Sequence, residues 1–319
     1  MIEIKGLTTR FGDFTAVDHL NLTIETDEFI GLLGPNGAGK TTTISMMSTV
    51  LLPTEGEILI DGKPLTRKAS EQKRKLSVVT QEYSMRQDMT MNEVMEYQGR
   101  LYYMRKKEIR SKTEELFEFA GLSKFGHRTV RHLSGGMKRK LMICRALMVE
   151  PEILLLDEPT AGMDALARRQ MWDLLRSLKE RSLTILLTTH FIDEAQALCN
   201  RVAFIDGGKL DVVDAPLTLI EQLGPFAIDT LEDNKLMSSY FPTREAAIEE
   251  LRELPDDAVL RATTLEDVFV ERVGHRITRG ELRRATPFQR RGALWASSRY
   301  YGKNGRSSNG TSTRSRLRP

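Results

Sequence analysis

A glycine-rich stretch that ends in a lysine and a threonine offers the most specific chemistry in this sequence. The pattern G-x-x-x-x-G-K-[ST] is matched by the consecutive residues Gly34, Pro35, Asn36, Gly37, Ala38, Gly39, Lys40 and Thr41. An apolar run precedes it and helix-forming residues follow it, so the predicted order is strand, loop and helix. Glycines allow successive N–H groups to face inward as an anion nest, and the helix adds unpaired donors and its positive dipole end. The stretch therefore predicts a phosphate-binding loop.

Side chains at the end of this loop have distinct predicted roles. Lys40 is placed to reach the β- and γ-phosphates of a nucleotide, and the Thr41 hydroxyl is placed to ligate Mg²⁺. Thr42 continues the first helical turn and is predicted to contact the phosphates as well. The alternative is a tight glycine turn that binds no ligand. Its position between a buried strand and a helix favours nucleotide binding instead.

A pair of carboxylates follows a continuous apolar run. Ile153–Leu156 consists of four large apolar residues, as expected for a strand buried on both faces of a parallel sheet. Asp157 and Glu158 at the tip of such a strand are costly unless a cation or a proton offsets their charge. Asp157 fits an acid that anchors Mg²⁺, and Glu158 fits a base that orients or deprotonates an attacking water. A solvated strand end is the alternative, which the phosphate loop disfavours.

Two other predicted strands end in single polar residues. Gln81 ends the strand that begins at Leu76, and His190 ends the buried strand that begins at Leu183. Ligands of open α/β sheets bind at the carboxyl ends of the strands, so both side chains are candidates for the phosphate site. A lone histidine is more often structural than catalytic, although its place beside the same sheet favours a functional role.

A second glycine-containing motif and one aromatic residue each have two open interpretations. Ser134, Gly135 and Gly136 begin a basic helix, either as an ordinary capped start or as a second helix N-terminus that faces phosphate. Phe11 precedes a turn glycine. It either packs in the core or stacks on adenine, a contact that would contribute about 1–3 kcal/mol.

Length and composition favour one main domain with appendages in this chain of 319 residues. The two cysteines, Cys144 and Cys199, fit no metal spacing and are predicted to be buried in a reducing compartment. No signal peptide is expected, and the longest apolar runs fall short of the ~20 residues of a membrane span. The expectation is a chain that is cytosolic by itself.

The net charge of +3 conceals an uneven distribution. Residues 276–319 contain eleven Arg and one Lys against one Glu, so they carry +11 and the other 275 residues carry −8. The richness of this segment in Arg, Ser and Gly predicts a disordered, solvated extension. Attraction to anionic lipid is a further hypothesis, at about 1 kcal/mol for each charge at the surface, and Trp295, Tyr300 and Tyr301 would suit that interface.

The remaining patterns predict the elements around these residues. Alternation with period two indicates an antiparallel ribbon within residues 1–33, and helix-forming residues from Thr90 to about Leu122 indicate a helical region. Most Met and Tyr residues of that region are predicted to be core, with a surplus suited to an adaptable docking surface. Gly207 and Gly208 join a predicted hairpin, and a small mixed segment then extends to about residue 274.

Six separated stretches together resemble the ATP-binding subunit of ABC transporters, over roughly residues 1–215. In chain order they are Walker A at Gly34–Thr41, the Q-loop glutamine Gln81, the signature Leu133–Met137, Walker B at Ile153–Asp157 with the catalytic glutamate Glu158, the D-loop Ala161–Asp164 and the switch histidine His190. Each match is moderately specific. All six in this order identify the chain as resembling that family.

A closer resemblance is to ATPases of multidrug exporters of the daunorubicin-resistance and nodulation-export type. Three segments carry it: Leu133–Leu141, Thr188–Ala195 and Thr263–Phe269. Two positions depart from the usual family pattern, and the segment after His275 matches no family pattern. Met137 replaces a Gln at the end of the signature, as is familiar in the exporter subgroup, and Phe11 stands where Tyr is common, so that stacking is preserved and a hydroxyl is lost.

The resemblance implies an α/β fold of the P-loop NTPase class, with the mixed sheet core, antiparallel β subdomain and helical subdomain of an ABC-type ATPase. The implied ATPase domain covers 1–215, with its helical subdomain at about 85–150. A small C-terminal accessory segment would cover 216–275, and a basic, disordered tail would cover 276–319.

The resemblance also implies an ATPase that uses ATP and Mg²⁺ to power export of a drug-like, lipid or glycan substrate through a separate transmembrane permease. The implied catalytic residues are Lys40, Gln81, Glu158 and His190, and the implied metal ligands are Thr41, Gln81 and Asp157. ATP would lie between the phosphate loop of one subunit and Ser134–Gly136 of a second in a head-to-tail homodimer. The chain would be peripheral, at the cytoplasmic face of the cell membrane, and no nucleic acid partner is expected.

Two other classes of protein share parts of this pattern. A soluble ABC-type ATPase that acts on nucleic acid or ribosomes commonly has two cassettes or a long coiled-coil insertion, and neither is found in this sequence, although the basic tail would suit such a role. A P-loop kinase or GTPase would leave the motif at Ser134 unexplained.

Overall fold

The fold is built of strands and helices that alternate along most of the chain. The computed structural model describes residues 1–232, 235–255 and 257–274. The strands in these ranges are β1 (Ile2–Phe11), β2 (Phe14–Ile24), β3 (Phe29–Leu33), β4 (Glu55–Ile60), β5 (Lys63–Pro64), β6 (Leu76–Val79), β7 (Ile153–Asp157), β8 (Thr184–Thr189), β9 (Arg201–Asp206), β10 (Lys209–Asp214), β11 (Phe226–Glu232), β12 (Lys235–Phe241) and β13 (Val259–Ala262). The helices are α1 (Lys40–Met47), α2 (Ser70–Arg74), α3 (Met91–Leu101), α4 (Lys106–Phe119), α5 (Gly135–Leu147), α6 (Ala165–Ser177), α7 (Ile192–Leu198), α8 (Pro216–Leu223), α9 (Arg244–Leu251) and α10 (Leu265–Phe269).

A six-stranded sheet forms the centre of the compact unit Met1–Val273. Its order is β10-β9-β3-β8-β7-β6, with β10 antiparallel to β9 and the other neighbouring pairs parallel. Every residue of β3, β7 and β8 is buried, as the unbroken apolar runs predict. Because β6, β7 and β8 are parallel neighbours, the residues that follow them meet at one edge of the sheet.

A smaller antiparallel sheet has the order β2-β1-β4-β5. The pairing of β1 with β2 confirms the antiparallel ribbon predicted within residues 1–33. Alternate residues such as Ile2, Leu20 and Ile24 are buried in a cluster that also contains Ile44 and Met46 of α1. This sheet therefore packs on the helix that follows the phosphate loop.

The helical region contains α3, α4 and α5. Thr90 caps α3, and it forms a reciprocal capping box with Glu93, each side chain accepting a bond from the other residue's main-chain N–H. The single helical stretch predicted from Thr90 to Leu122 is divided by a turn at Tyr103, whose φ of 60° lies in the left-handed region. In this region Met85, Met91 and Met95 are buried in the core. Tyr97, Tyr102 and Tyr103 are exposed.

The chain after β10 adds a three-stranded antiparallel sheet, β12-β11-β13, and helices α8 to α10. Leu265 and Val268 of α10 are buried in the main core cluster, and Phe269 packs edge-to-face on Phe204 of β9 with ring centroids 5.3 Å apart. This segment is therefore joined to the central sheet by apolar contacts. The basic extension of residues 276–319 lies outside the described residues.

The burial predicted for the two cysteines is confirmed within the described part of the chain. Cys144 and Cys199 are free and buried, and burial raises the pKa of the Cys144 thiol to about 12 and that of Cys199 further still. Such thiols are inert packing groups. None of the described helices is long and apolar enough to cross a bilayer.

Candidate active site

The phosphate loop joins β3 to α1, and close packing requires its glycines. Gly39 precedes α1 with a φ of 105°, in the left-handed region. A Cβ on Gly34 would lie 2.1 Å from the carbonyl oxygen of Ile205, and a Cβ on Gly39 would lie 2.6 Å from that of Ala16. The first turn of α1 contains no acidic residue, so no carboxylate of that turn offsets the positive end of the helix dipole. The backbone is thus suited to an anion.

The Lys40 side chain lies against the same loop and is 4% exposed. Its Nζ donates to the carbonyl oxygens of Gly34, at 2.8 Å, and Pro35, at 3.1 Å, and lies 3.5 Å from Oε1 of Glu158. Burial lowers the pKa of Lys40, and the charges of Glu158 and Asp157 oppose that shift only in part. The amine is therefore a buried cation at the point where the loop meets the sheet.

Asp157 and Thr41 form an oxygen pair at the end of β7. The Thr41 hydroxyl donates to Oδ1 of Asp157 at 3.1 Å, and the Thr188 hydroxyl donates to the same oxygen at 2.6 Å. Asp157 is 3% exposed, so its charge is held away from water. The hydroxyl oxygen of Thr41 and the carboxylate of Asp157 are suitable ligands for Mg²⁺, which binds one or two protein oxygens together with phosphates and waters. No cluster of three His, Cys, Asp or Glu residues suited to a metal occurs in the described ranges, so a cage of protein ligands alone is not what they offer.

Glu158 is the point at which the predicted catalytic residues meet. Its Oε2 lies 3.2 Å from Nδ1 of His190 and 3.5 Å from Nε2 of Gln81, and its Oε1 faces Lys40. The structure therefore brings together four residues that are far apart in the sequence. Gln81 is at the long limit of a hydrogen bond in this arrangement.

The backbone of Glu158 is strained. Its φ of 45° lies in the left-handed region, which costs a residue with a side chain roughly 1–2 kcal/mol. The main-chain N–H of Glu158 donates to the carbonyl oxygen of Thr188, at 3.0 Å, and to its hydroxyl, at 3.1 Å. Strain that surrounding bonds maintain is typical of functional sites, and here it points the carboxylate toward Lys40 and His190.

The signature residues lie at the start of α5. Ser134 caps this helix, because its Oγ accepts a hydrogen bond from the main-chain N–H of Met137 at 3.3 Å. Ser134 and Gly135 are exposed and Gly136 is half-buried. No hydrogen bond among the described residues joins these three to the phosphate loop. The capped-helix interpretation is therefore confirmed, and the phosphate-facing one stays a prediction.

Phe11 ends β1 and is 53% exposed. Its strand partner, Phe14, is exposed to a similar degree. The alternative that Phe11 packs in the core is therefore wrong, since the turn at Gly12 directs both rings toward solvent. An exposed ring remains available for stacking on a base.

Three residues of this region escaped the sequence analysis. Thr188 supports both Asp157 and Glu158, Arg139 binds the segment that contains Gln81, and Glu194 is fully buried in α7, the helix after His190. Thr188 had a usable signal, because a polar residue in a strand buried on both faces needs a partner. Arg139 had none, since it stands in the run Lys138–Lys140, which is typical of a solvated face.

A family comparison bears directly on this geometry. The family model described as "ABC transporter" matches residues 17–161. "Nod factor export ATP-binding protein I" of Burkholderia lata is 42% identical over 220 residues, which cover 69% of this chain and 72% of the relative. The chain belongs to the ABC transporter ATP-binding family. The family prediction made from the six motifs is thereby confirmed, and the chain is an ATPase of that family.

Longer alignments come from two other members of the family. "Nod factor export ATP-binding protein I" of Paraburkholderia xenovorans is 36% identical, over 86% of this chain and 97% of the relative. "Daunorubicin resistance ATP-binding protein DrrA3" of Streptomyces coeruleorubidus is 34% identical, over 86% of this chain and 96% of the relative. The ABC family likeness therefore extends beyond the catalytic motifs.

Solved structures of ABC cassettes share the fold. The ATP-binding subunit of an ABC transporter superposes with a TM-score of 0.63 at 25% identity, over 70% of this chain and 92% of that one. A dimeric ATP-binding cassette in a post-hydrolysis state, bound to ADP and Pi, gives a TM-score of 0.61 at 28% identity, over 67% and 98%. The α/β, P-loop NTPase fold predicted from the sequence is confirmed.

Proposed function

We propose that this chain is the ATP-hydrolysing subunit of an exporter and drives transport through a separate membrane subunit. The observation that carries the proposal is the convergence of Lys40, Gln81 and His190 on Glu158, beside the oxygen pair of Thr41 and Asp157. A lone phosphate loop would account for nucleotide binding. A buried carboxylate with a histidine and a glutamine beside it accounts for hydrolysis as well.

The side chains divide the work of hydrolysis between them. The loop main chain and Lys40 bind the phosphates, and Lys40 exchanges the carbonyls of Gly34 and Pro35 for phosphate oxygens. Thr41, Asp157 and Gln81 would hold Mg²⁺, which would neutralise the charge that develops on the phosphates.

Glu158 and the residues around it would orient the water that reacts with the γ-phosphate. The Glu158 carboxylate orients or deprotonates the water that attacks the γ-phosphate. His190 would contact the same phosphate and help position that water. Phe11, at the exposed end of β1, would stack on the adenine ring.

ATP would lie between two copies of the chain. Each chain carries one phosphate loop and one signature helix, and Ser134–Gly136 start that helix on an exposed surface. In a head-to-tail pair, the α5 N-terminus of one copy would face the γ-phosphate held by the Lys40 of the other. Hydrolysis would then remove the phosphate that joins the two copies. Dimeric cassettes among the solved structures support a dimer.

The membrane partner would contact the helical region, at the cytoplasmic face of the membrane. Four residues at the end of α3 and in the turn after it form an exposed apolar surface, namely Tyr97, Leu101, Tyr102 and Tyr103. Exposed apolar patches are typical of interaction sites. Relatives named for Nod factor export and daunorubicin resistance support export of a drug-like, lipid or glycan substrate.

The chain would divide into an ATPase domain and an accessory segment that follows it. We place the ATPase domain at 1–215, with its helical subdomain at about 85–150, and the accessory segment at 216–275. Alignments that cover 86% of the chain must extend beyond residue 215, so the relatives share at least part of that segment. The basic tail, 276–319, lies outside the described residues.

Replacement of Glu158 by Gln tests this function. The variant keeps the shape of the side chain and loses the base, so the hydrolysis rate is expected to fall on the order of 10²–10⁴-fold while ATP binding persists. Unhydrolysed ATP should then hold the two copies together. Steady-state ATPase assays and sedimentation velocity with and without Mg-ATP measure both effects.

The matched control is Glu118→Gln, at an exposed position of α4, which should hydrolyse ATP like the unmodified protein. Rapid turnover by the Glu158→Gln variant would contradict the role of Glu158. Arrest of turnover without a nucleotide-dependent dimer would contradict the head-to-tail arrangement.

A further inference from the structure

The segment that follows β6 is bonded to helix α5 by a buried arginine. Nη1 of Arg139 donates to the carbonyl oxygen of Thr80 at 2.6 Å, and Nη2 donates to that of Gln81 at 2.9 Å. The Arg139 side chain is 2% exposed and is the largest fully buried side chain in the described residues. The main chain of Gln81 is therefore fixed from the signature helix.

The environment of Arg139 is unusual for a buried cation. Buried guanidinium groups are normally paired with carboxylates, because removal of a charge from water is costly. No salt bridge of Arg139 occurs in the described part of the chain. Its Nε has no hydrogen-bond partner there, and its guanidinium carbon lies 5.2 Å from the centre of the Tyr83 ring. The hydrogen bonds of this costly group are to two adjacent carbonyl oxygens and, at 4.0 Å, to the Met142 sulfur. This pattern suits a positioning role better than a general contribution to stability.

A second contact joins the same segment to the signature residues. The Tyr83 hydroxyl donates to the carbonyl oxygen of Gly135 at 3.2 Å. At the other end, the Gln81 side chain reaches Oε2 of Glu158 at 3.5 Å. Gly135, Tyr83, Arg139, Gln81 and Glu158 therefore form a continuous series of contacts, from the exposed start of α5 to the candidate catalytic carboxylate of the same chain.

We propose that Arg139 is a positioning residue for Gln81, so that the placement of α5 sets the distance of the Gln81 amide from Glu158 and from the oxygen pair of Thr41 and Asp157. The proposal rests on the function proposed above. In the head-to-tail dimer, the start of α5 faces the nucleotide bound by the other copy. Arg139 then makes the catalytic site of one copy depend on whether the other copy holds ATP.

The consequence is specific to turnover. A displaced Gln81 would move its amide away from Glu158, and misplacement of about 1 Å in a catalytic site can lower a rate on the order of 100-fold. Phosphate binding by the loop and Lys40 does not involve Arg139. A change at Arg139 should therefore lower kcat and leave the KM for ATP near that of the unmodified protein.

A double-mutant cycle tests the proposal with Arg139→Lys, Gln81→Ala and the combined variant. Lysine keeps the charge but cannot bind two carbonyls with a planar fork. We expect Arg139→Lys alone to lower kcat by about 10- to 100-fold, with a higher Mg²⁺ concentration needed for half-maximal activity. In the Gln81→Ala background the same change should have no further effect, because Arg139 acts through Gln81.

The matched control is Arg145→Lys, on the same helix. Arg145 also binds the segment that follows β6, through the carbonyl oxygen and hydroxyl of Ser84 at 2.8 and 2.9 Å, but it has no hydrogen bond to Gln81. It should leave kcat and the Mg²⁺ requirement unchanged. Tyr83→Phe removes only the hydroxyl that reaches Gly135. It should reduce the cooperativity of hydrolysis with ATP concentration while retaining the fold, so it tests the same series of contacts if Arg139→Lys fails to fold.

The outcomes separate this proposal from the one on which it rests. Additive losses in the cycle, or equal losses for Arg139→Lys and Arg145→Lys, would mean that Arg139 only supports the fold, and would overturn the proposal while the ATPase function stands. Unchanged cooperativity in Tyr83→Phe would also contradict it. An unmodified protein that fails to hydrolyse ATP would overturn both proposals.

Discussion

At the scale of single residues, the site is organised by buried charges that offset one another. Lys40, Asp157 and Glu158 are each less than 9% exposed, and each would be costly alone. The amine of Lys40 lies 3.5 Å from Glu158, and two hydroxyls donate to Asp157. A nucleotide with its metal carries the complementary charges, so the same groups can exchange these internal contacts for contacts to the ligand.

Thr188→Val tests whether Thr188 supports Asp157, one member of the oxygen pair predicted to bind Mg²⁺. The change removes the hydroxyl that donates to Asp157 at 2.6 Å and accepts from the N–H of Glu158. We expect the free energy of unfolding to fall by about 1–3 kcal/mol and the Mg²⁺ concentration for half-maximal ATPase activity to rise. Urea unfolding and a Mg²⁺ titration of the rate measure the two effects.

Thr188→Ser is the matched control, because it restores the hydroxyl at the same position and should restore the metal requirement. A Thr188→Val protein with an unchanged Mg²⁺ requirement would show that Asp157 needs no support from β8.

At the scale of elements, helices α6 and α7 are joined by a hydrogen bond of Glu194. This side chain is completely buried, and its Oε1 accepts hydrogen bonds from Thr160, at 2.8 Å, and from the Trp172 indole, at 3.1 Å. Arg168 of α6 also stacks on Phe191, the residue after His190, with its guanidinium carbon 4.2 Å from the ring centre. The segment before the predicted D-loop and the residue after the predicted switch histidine, His190, are therefore supported by the same two helices.

Glu194→Gln should change how stability depends on pH. Burial raises the pKa of Glu194, and hydrogen bonds from Thr189, Thr160 and Trp172 oppose this only in part. The folded chain therefore binds more protons than the unfolded chain between the unfolded pKa and the folded pKa, and stability falls as pH rises through that window. Gln does not titrate, so the stability of the variant relative to the unmodified protein should increase across the window and then become constant.

Urea unfolding at a series of pH values measures this difference. The companion variant Thr160→Val removes one donor to the ionised carboxylate, so it should raise the pKa of Glu194 further and extend the window to higher pH. A stability difference between Glu194→Gln and the unmodified protein that does not vary with pH would contradict a raised pKa of Glu194.

The elements also show how far sequence reasoning could reach. β7 and the phosphate loop were predictable, because an unbroken apolar run and a spaced glycine motif are each compatible with few local structures. The break in the helical region at Tyr103 was not, since no Gly or Pro stands in the turn itself, residues 102–105. Arg139 was missed for a related reason: its burial depends on how α5 packs on the segment after β6, which a run of basic residues does not encode. The exposure of Phe11 could not be predicted either, because it depends on the direction in which the turn at Gly12 points the ring.

At the scale of the whole molecule, one chain would supply two unlike halves of the shared site in the proposed head-to-tail dimer. The loop at Lys40 and the carboxylates belong to the central sheet, whereas Ser134 begins a helix whose start is exposed. Pairing two copies would complete two sites at once, and binding of ATP would favour association while hydrolysis would reverse it. Arg139 would connect these events within each chain.

The most direct test of this account is an equilibrium titration of the unmodified chain and of Lys40→Ala with ATP in the presence of Mg²⁺. The account predicts saturable binding by the unmodified chain, accompanied by dimer formation, and loss of binding in Lys40→Ala because the phosphates lose their buried cation. Absence of ATP binding by the unmodified chain, or undiminished affinity in Lys40→Ala, would contradict it.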